Sequence, residues 1–400
     1  MNDSLEVAIV GAGPAGIGTA VALERLDVEY AVLERDRIGS SFRSWPDEMR
    51  LLTPSFPANA FGVRDLNAVT IDTSPALALD CEHPTGEQYA EYLEAVAEFH
   101  ELPVETGVDV ESVVPQRSGE AESFVLETDE ESIRARYVVW AAGQYGYPSS
   151  GDLEGATHGV HVATVESWAE YAKRASSTES AGTNRIAADG AGAVAETVSD
   201  VVVVGGAESG IDAALGLAEA GRSVTVLDDE GTWQFRSPDP SEVLSPRTNE
   251  RLETALEDGA PINLVADARV AGIEREEGDG YVVTTTDGDR VRSRAPPVLA
   301  TGFEGSLAVV DNLFAFDGEF PELTDRDEST KTPGLFLAGP QVAHNGQQFC
   351  FIYKFRQRFA VVAEELGDRL GVDTDPLEAY REKRMIVEDL ECCEPDYCDC

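Results

Sequence analysis

The stretch VAIVGAGPAGIGTAVALERLDVEYAVLE, Val7 to Glu34, decides the fold. Val7 to Val10 is a continuous apolar run of the kind a parallel sheet buries on both faces. Gly11 to Gly16 is a glycine turn, Ala20, Val21 and Leu23 give the next segment an apolar helical face, and Tyr30 to Leu33 is a second apolar run. Together they predict a parallel βαβ unit. The same grammar returns in VVVVGGAESGIDAALGLAEAGRSVTVL, Val201 to Leu227, with a helix stop at Gly221. The expected fold class is therefore α/β, with two Rossmann-like dinucleotide-binding domains in one chain.

GAGPAG fits the spacing in which Gly11 permits the tight turn, Gly13 lets the backbone approach a pyrophosphate, and Gly16 lets helix meet strand. Pro14 and Ala15 complete the turn, and Glu34 follows 18 positions after Gly16, where a carboxylate can accept from ribose hydroxyls. The second turn, GGAESG, carries Gly205, Gly206, Ser209 and Gly210, with Ala207 at the middle glycine and Glu208 close to the phosphate path. Asp228 follows 18 positions after Gly210. A carboxylate there favours a free ribose 2′-hydroxyl over a 2′-phosphate, unless Arg222 or Arg236 reaches that phosphate.

Composition narrows the partners. Thirty Lys and Arg against 75 Asp and Glu leave a net charge of −45, which repels nucleic acid and anionic lipid alike. Only Lys173, Lys331, Lys354 and Lys383 are lysines. This balance reads as a halophile signature, because a Debye length of about 3 Å at 1 M salt hides the self-repulsion. The melting temperature is then expected to rise steeply with KCl, and equal stability in dilute buffer would remove the idea. The N-terminal residues show no basic segment followed by an apolar core, and no apolar run reaches the roughly 18 to 20 residues of a membrane span. A cytoplasmic protein acting on a small-molecule substrate, without nucleic acid or membrane, is expected. A homodimer is left open.

Further strands are expected at Phe124–Leu126, Tyr137–Trp140, Tyr281–Thr286 and Val298–Ala300, the first and third forming antiparallel crossovers. Residues 175–200 hold almost no large apolar side chain and are expected to be a disordered acidic insertion. Phe349–Gly367 reads as one long helix that closes the first domain.

The order GAGPAG, GSSFRSW, WAAGQYGYP, VVVVGGAESGIDAA, LATGF and FLAGP followed by FCFIYKFRQRF resembles the two-dinucleotide-domain flavoproteins. The nearest branch is the flavin-containing monooxygenase-like one, with cation-efflux-associated flavoproteins and bacillithiol-disulfide reductases. The resemblance implies an FAD-dependent NAD(P)H oxidoreductase. Residues 1–148 and 305–390 would form a split FAD domain, 149–304 an inserted NAD(P)H domain and 391–400 a cysteine-rich tail. It implies that FAD meets Gly11, Gly13, Pro14, Ala15, Gly16, Glu34, Arg35, Ser40, Phe42, Arg43, Val110, Ala142, Gly143 and Gly339. The coenzyme would meet Gly205, Gly206, Ala207, Glu208, Ser209, Gly210, Asp228 and Gly302, with NADH favoured over NADPH on the Asp228 argument. Pro340 stands where many relatives carry Asp, and Ala156 to Trp168, including His161, echoes the monooxygenase signature.

No C-x-x-C accompanies the first turn, and Cys81 and Cys350 stand singly. His344, in the loop before the aromatic helix, and Cys392 and Cys393 are the catalytic candidates. Cys392, Cys393, Cys398 and Cys400 give C-C-x4-C-x-C, whose thiolates could hold a soft metal ion or exchange electrons with reduced flavin, taking a thiol or metal partner at the tail. Three functions follow: oxygenation by O2, reduction of a disulfide, quinone or metal ion through the tail, or a nucleotide-bound sensor or metal-delivery protein.

Overall fold

The computed structural model describes residues 4–57, 64–118, 121–176, 197–237, 242–276 and 280–390. The cysteine tail at 391–400 and residues 177–196 of the expected insertion lie outside the described residues. The ends of that insertion are regular, since a helix runs to Ser176 and a strand begins at Thr197.

The chain divides into two compact units, one of residues 1–43, 53–147 and 304–400, the other of residues 44–52 and 148–303. The first unit opens with β1 (Ser4–Val10), α1 (Pro14–Leu23) and β2 (Tyr30–Glu34). α2 (Gly86–Phe99) follows, started by a capping box in which the Gln88 N–H donates to Thr85 Oγ1 at 3.1 Å and the Thr85 N–H to Gln88 Oε1 at 2.9 Å. Then come β3 (Val104–Thr106), β4 (Val110–Ser118), β5 (Ala121–Thr128) and β6 (Ile133–Trp140). β1 pairs in parallel with β2 (Val7 opposite Tyr30) and with β6, while β4, β5 and β6 form an antiparallel meander.

In the second unit β7 (Val160–His161), α3 (Trp168–Ser176) and β8 (Thr197–Ser199) precede the second βαβ, made of β9 (Val201–Val204), α4 (Glu208–Glu219) and β10 (Val224–Leu227). α5 (Pro246–Glu257) leads to β11 (Ile262–Val265), and β12 (Val270–Glu276), β13 (Gly280–Thr285) and β14 (Arg290–Ser293) make the second antiparallel layer before β15 (Val298–Leu299). The parallel sheet runs β11-β10-β9-β15-β7. Val201 to Val203 are fully buried, as an apolar strand covered on both faces must be.

The chain then returns to the first unit, where β16 (Leu335–Leu337) pairs with the C-terminal half of β6. The single long helix expected at Phe349–Gly367 is broken. A short helix at Ile352–Phe355 passes through a 3-10 turn at Arg356–Arg358 into α6 (Phe359–Leu370). Two buried arginines account for the turn. Arg356 donates to the carbonyls of Asp65 and Ala68, and Arg358 pairs with buried Asp327 at 2.9 Å.

Residues 44–52, expected within the first domain, belong instead to the second unit. Glu48 explains the excursion. It accepts from Ser167 Oγ at 2.8 Å and from the N–H groups of Trp168 at 3.0 Å and Ala169 at 3.1 Å, closing the N-terminus of α3. Burial by itself would raise the Glu48 carboxyl, but the bonds from Ala169, Ser167 and Trp168 outweigh it and hold it below the usual carboxylate range.

Candidate functional site

In the first unit Gly11 takes φ +103°, and a Cβ added there would lie 2.7 Å from the Ala141 carbonyl oxygen. A Cβ on Gly16 would lie 1.8 Å from the Gly11 oxygen, so helix and strand meet at a distance no side chain permits. Gly13 differs, because a Cβ there meets nothing within 4 Å. Gly13 caps α1 without a side-chain bond, Pro14 follows, and no acid stands in the first turn. The helix N-terminus thus faces open space with unspent donors, the arrangement that binds a diphosphate.

Glu34 closes this cradle. Its Oε2 accepts the Ala12 N–H at 2.7 Å, and its Oε1 accepts from the Asp36 N–H at 3.0 Å and Ser40 Oγ at 3.4 Å. The C-terminal loop reaches the same turn, where a Cβ on Gly339 would lie 3.2 Å from Ala15 Cβ. Val110 opens β4 two residues after Val108, whose N–H donates to the Glu34 carbonyl at 2.9 Å. Arg35 lies over the Tyr147 ring at 5.5 Å. Gly143, beside Ala142 just after β6, takes φ +70°, and a Cβ there would meet nothing within 4 Å.

Two residues of the GSSFR segment serve packing. Phe42 sets its ring 4.8 Å from that of Tyr89, and the Arg43 guanidinium is paired with Glu87 and, at 2.7 Å, Glu94 on α2. His344 is buried and holds Asp327 through Nε2 at 2.6 Å, sharing that carboxylate with Arg358. The imidazole fastens the hairpin of Ala343–His344 and Gln347–Gln348.

The second turn repeats the frame. Gly205 takes φ +98° with a would-be Cβ 2.3 Å from the Ala300 oxygen, and one on Gly210 would lie 1.9 Å from the Gly205 oxygen. Ala207 caps α4 without a side-chain bond. Glu208, expected near the phosphate path, turns to α5 instead, accepting from the Ser245 N–H and from Thr248 Oγ1 at 2.6 Å. Burial raises its carboxyl against the pull of those bonds. Ser209 follows it in the first turn of the helix, whose N-terminus no side chain caps.

Asp228 holds the loop that follows it by backbone bonds. Its Oδ2 accepts from the Gly206 N–H at 2.6 Å, and its Oδ1 from the N–H groups of Glu230 at 3.1 Å, Gly231 at 2.5 Å and Thr232 at 3.3 Å. The loop so fixed presses Trp233 onto Gly206, where an added Cβ would meet the indole at 2.3 Å. His161 bonds the Gly302 carbonyl through Nε2 at 3.1 Å and accepts the Ala163 N–H through Nδ1 at 3.2 Å, which fixes the Nε2–H tautomer. Burial lowers its pKa, opposed by the Gly302 bond. Motif spacing had given no sign of Trp233, of the Ser245–Thr248 seat of Glu208 or of Glu48, although Ser245-Pro246 carries a helix-start signature.

Among the described residues no group of three or more His, Cys, Asp and Glu is placed to hold a metal ion, and no helix is long and apolar enough to cross a membrane. Cys392, Cys393, Cys398 and Cys400 lie outside the described residues.

Two uncapped glycine turns, each opening a helix between parallel strands, define a protein with two dinucleotide-binding units. Residues 8–177 and 192–339 match the pyridine nucleotide-disulphide oxidoreductase model, and the chain belongs to that family. It is 23% identical over 365 residues to bacilliredoxin reductase Bdr of Bacillus subtilis, a match covering 90% of this chain and 97% of that protein. The bacillithiol disulfide reductase Bdr of Staphylococcus aureus has a similar structure, with a TM-score of 0.69 at 19% identity, covering 92% of this chain and 99% of the other. A flavin-containing monooxygenase of Stenotrophomonas maltophilia gives 0.66 at 16% identity, with 92% and 99% covered. These likenesses at low identity are of fold. The protein is an FAD-dependent pyridine nucleotide oxidoreductase.

Proposed function

We propose that the first glycine turn would hold the diphosphate of FAD and the second that of the nicotinamide coenzyme, and that the protein oxidises the coenzyme with dioxygen as the oxidant, in the manner of a flavin monooxygenase. FAD, when bound, supplies the hydride-accepting chemistry that the side chains lack. The chain's own part is binding and orientation. Gly11 to Gly16 admit the diphosphate, Glu34 offers its remaining acceptor position to a ribose hydroxyl, and Gly339 brings the C-terminal loop against Ala15.

The observation that carries the oxidant is the cysteine placement. Among the described residues the thiols are Cys81, before α2, and Cys350, before the short helix at Ile352–Phe355, and neither forms a disulfide. Neither stands in a C-x-x-C pair, the arrangement an internal dithiol relay uses.

A second reading, reduction of a disulfide, quinone or metal ion through the tail, is favoured by a different contact. Asn345 Nδ2 donates to the Leu390 carbonyl at 3.0 Å, so the chain before Cys392 is fastened to the loop that follows Gly339. Anaerobic reduction by one equivalent of coenzyme, followed by oxygen or by a disulfide or quinone, separates the two. Fast reoxidation by oxygen in a chain ending at Leu390 supports the first reading. Reoxidation that needs residues 391–400 supports the second. A chain that keeps FAD but is reduced by neither NADH nor NADPH would be a sensor or delivery protein instead.

A further inference from the structure

We infer that Glu208 takes up a proton when the coenzyme diphosphate settles on the second glycine turn, with Thr248 and Ser245 turning their hydroxyls to hold either form of the acid. The inference rests on the assignment of that turn to the coenzyme.

Glu208 is the first residue of α4, the helix whose uncapped N-terminus would meet the diphosphate. Its side chain reaches the start of α5 instead. Oε1 accepts the Ser245 N–H, and Oε2 lies 2.6 Å from Thr248 Oγ1, which in turn lies 3.0 Å from Ser245 Oγ. A hydroxyl both donates and accepts. With the acid ionised, Ser245 donates to Thr248 and Thr248 to Glu208. With the acid protonated both bonds reverse, Glu208 donating to Thr248 and Thr248 to Ser245, while Oε1 keeps the Ser245 N–H. The seat serves both forms. Thr248 is fully buried, which shields the chain of bonds from solvent.

The charges around Glu208 oppose its ionised form. Asp212 stands one turn along α4, and Arg251 of α5 pairs with Asp212 at 2.7 Å. Arg247, also on α5, makes no ion pair with Glu208. α3 sends the uncharged indole of Trp168 to Asp212 at 3.4 Å, and β9, β10 and β15 bring no titratable group. Asp228 adds a further acid at Gly206. Burial first, and Asp212 after it, lift the Glu208 carboxyl against the pull of Thr248 and Ser245. A doubly charged diphosphate at the first turn of the same helix adds like charge, which a proton from solvent relieves. Affinity is then full in acid, falls as pH rises through the value in the free protein, and levels above the value in the complex.

The test is calorimetric binding of ADP-ribose to the FAD-loaded protein at one KCl concentration. Its diphosphate is esterified at both ends, so the ligand does not titrate near neutral pH. Repeating the titration in buffers of different ionisation enthalpy counts protons without any variant. Proton uptake is expected, with affinity about tenfold weaker at the alkaline end than at the acid end. Glu208→Gln should bind without uptake and hold the acid-end affinity throughout, because the amide keeps both bonds without the charge. Thr248→Val withdraws the donor that favours the ionised acid and should move the uptake to higher pH. Three results overturn the inference: binding without uptake by the unaltered chain, uptake that ignores both substitutions, or weak binding by Glu208→Gln at every pH, which would make Glu208 a structural tie. If ADP-ribose does not bind while FAD is retained, it is the assignment of the second turn that fails, and the inference falls with it. Melting curves and flavin content show whether each variant is folded.

Discussion

The two glycine turns share one device and differ in what it leaves over. In each, the acid ending the second strand accepts the N–H of the residue after the first glycine, Glu34 from Ala12 at 2.7 Å and Asp228 from Gly206 at 2.6 Å. Glu34 adds one backbone donor and a long contact to Ser40, whereas Asp228 adds three backbone donors. The middle position differs as well, being Gly13 over open space in one and Ala207 in the other. The oxygen on the glycine turn thus accepts a single N–H in both, and the difference lies in the other oxygen, which holds the following loop by three N–H groups at Asp228 and by one at Glu34. The fingerprint alone does not distinguish them.

The largest effects should come from the third glycines. Gly16→Ala and Gly210→Ala each drive a methyl to within 2 Å of a backbone oxygen, an overpacking worth about 3 kcal/mol. In denaturant titrations the first should lose stability together with FAD, and the second should lose stability while flavin is kept. A Gly210→Ala chain that sheds its flavin would break the separation of the two turns. Next comes Asp228→Asn, which leaves buried N–H groups facing an amide, at about 2 kcal/mol. It should lower the melting temperature without releasing FAD.

Gly13→Ala sharpens the contrast, since its methyl meets no protein atom within 4 Å. Unfolding of the apoprotein should be unchanged while FAD affinity falls about tenfold. Lost stability without lost flavin would show that the open space is not where the diphosphate lies. Ala207→Gly, the reciprocal change, should tighten coenzyme binding by less than that factor.

The smallest effect is expected at Glu48, where Glu48→Gln removes a charged cap worth about 1 kcal/mol. Because the folded carboxyl is held low, its contribution is present above the unfolded pKa and is lost as pH falls through the folded value. The gap between the two proteins in urea should therefore be full at neutral pH and close in acid. A pH-independent gap would leave Glu48 with a packing role only.

Much of this was legible in the residues. The runs Val7–Val10 and Val201–Val204 read as strands because sheets covered on both faces demand unbroken apolar sequence, and both pair as expected. The antiparallel layers at Phe124 and Tyr281 were legible by alternation. The break at Arg356–Arg358 was not, because the aromatic periodicity continues through it while the partners of the two arginines lie at Asp65, Ala68 and Asp327, far away in sequence. The excursion at 44–52 was hidden for the same reason. Its anchor is three donors more than a hundred residues downstream.

The amino-acid order by itself determined the two βαβ units and the glycine spacing, since each depends on neighbours within a few tens of residues, and the family, since it is carried by the order of motifs along the chain. Only the tertiary structure decided how the acids are used. Whether Glu208 or Arg43 is free for a ligand depends on donors and carboxylates brought by other elements, Ser245 and Thr248 at the start of α5 for Glu208 and Glu87 and Glu94 on α2 for Arg43. A side chain has few hydrogen-bonding positions, and which partner fills them is settled by packing rather than by spacing.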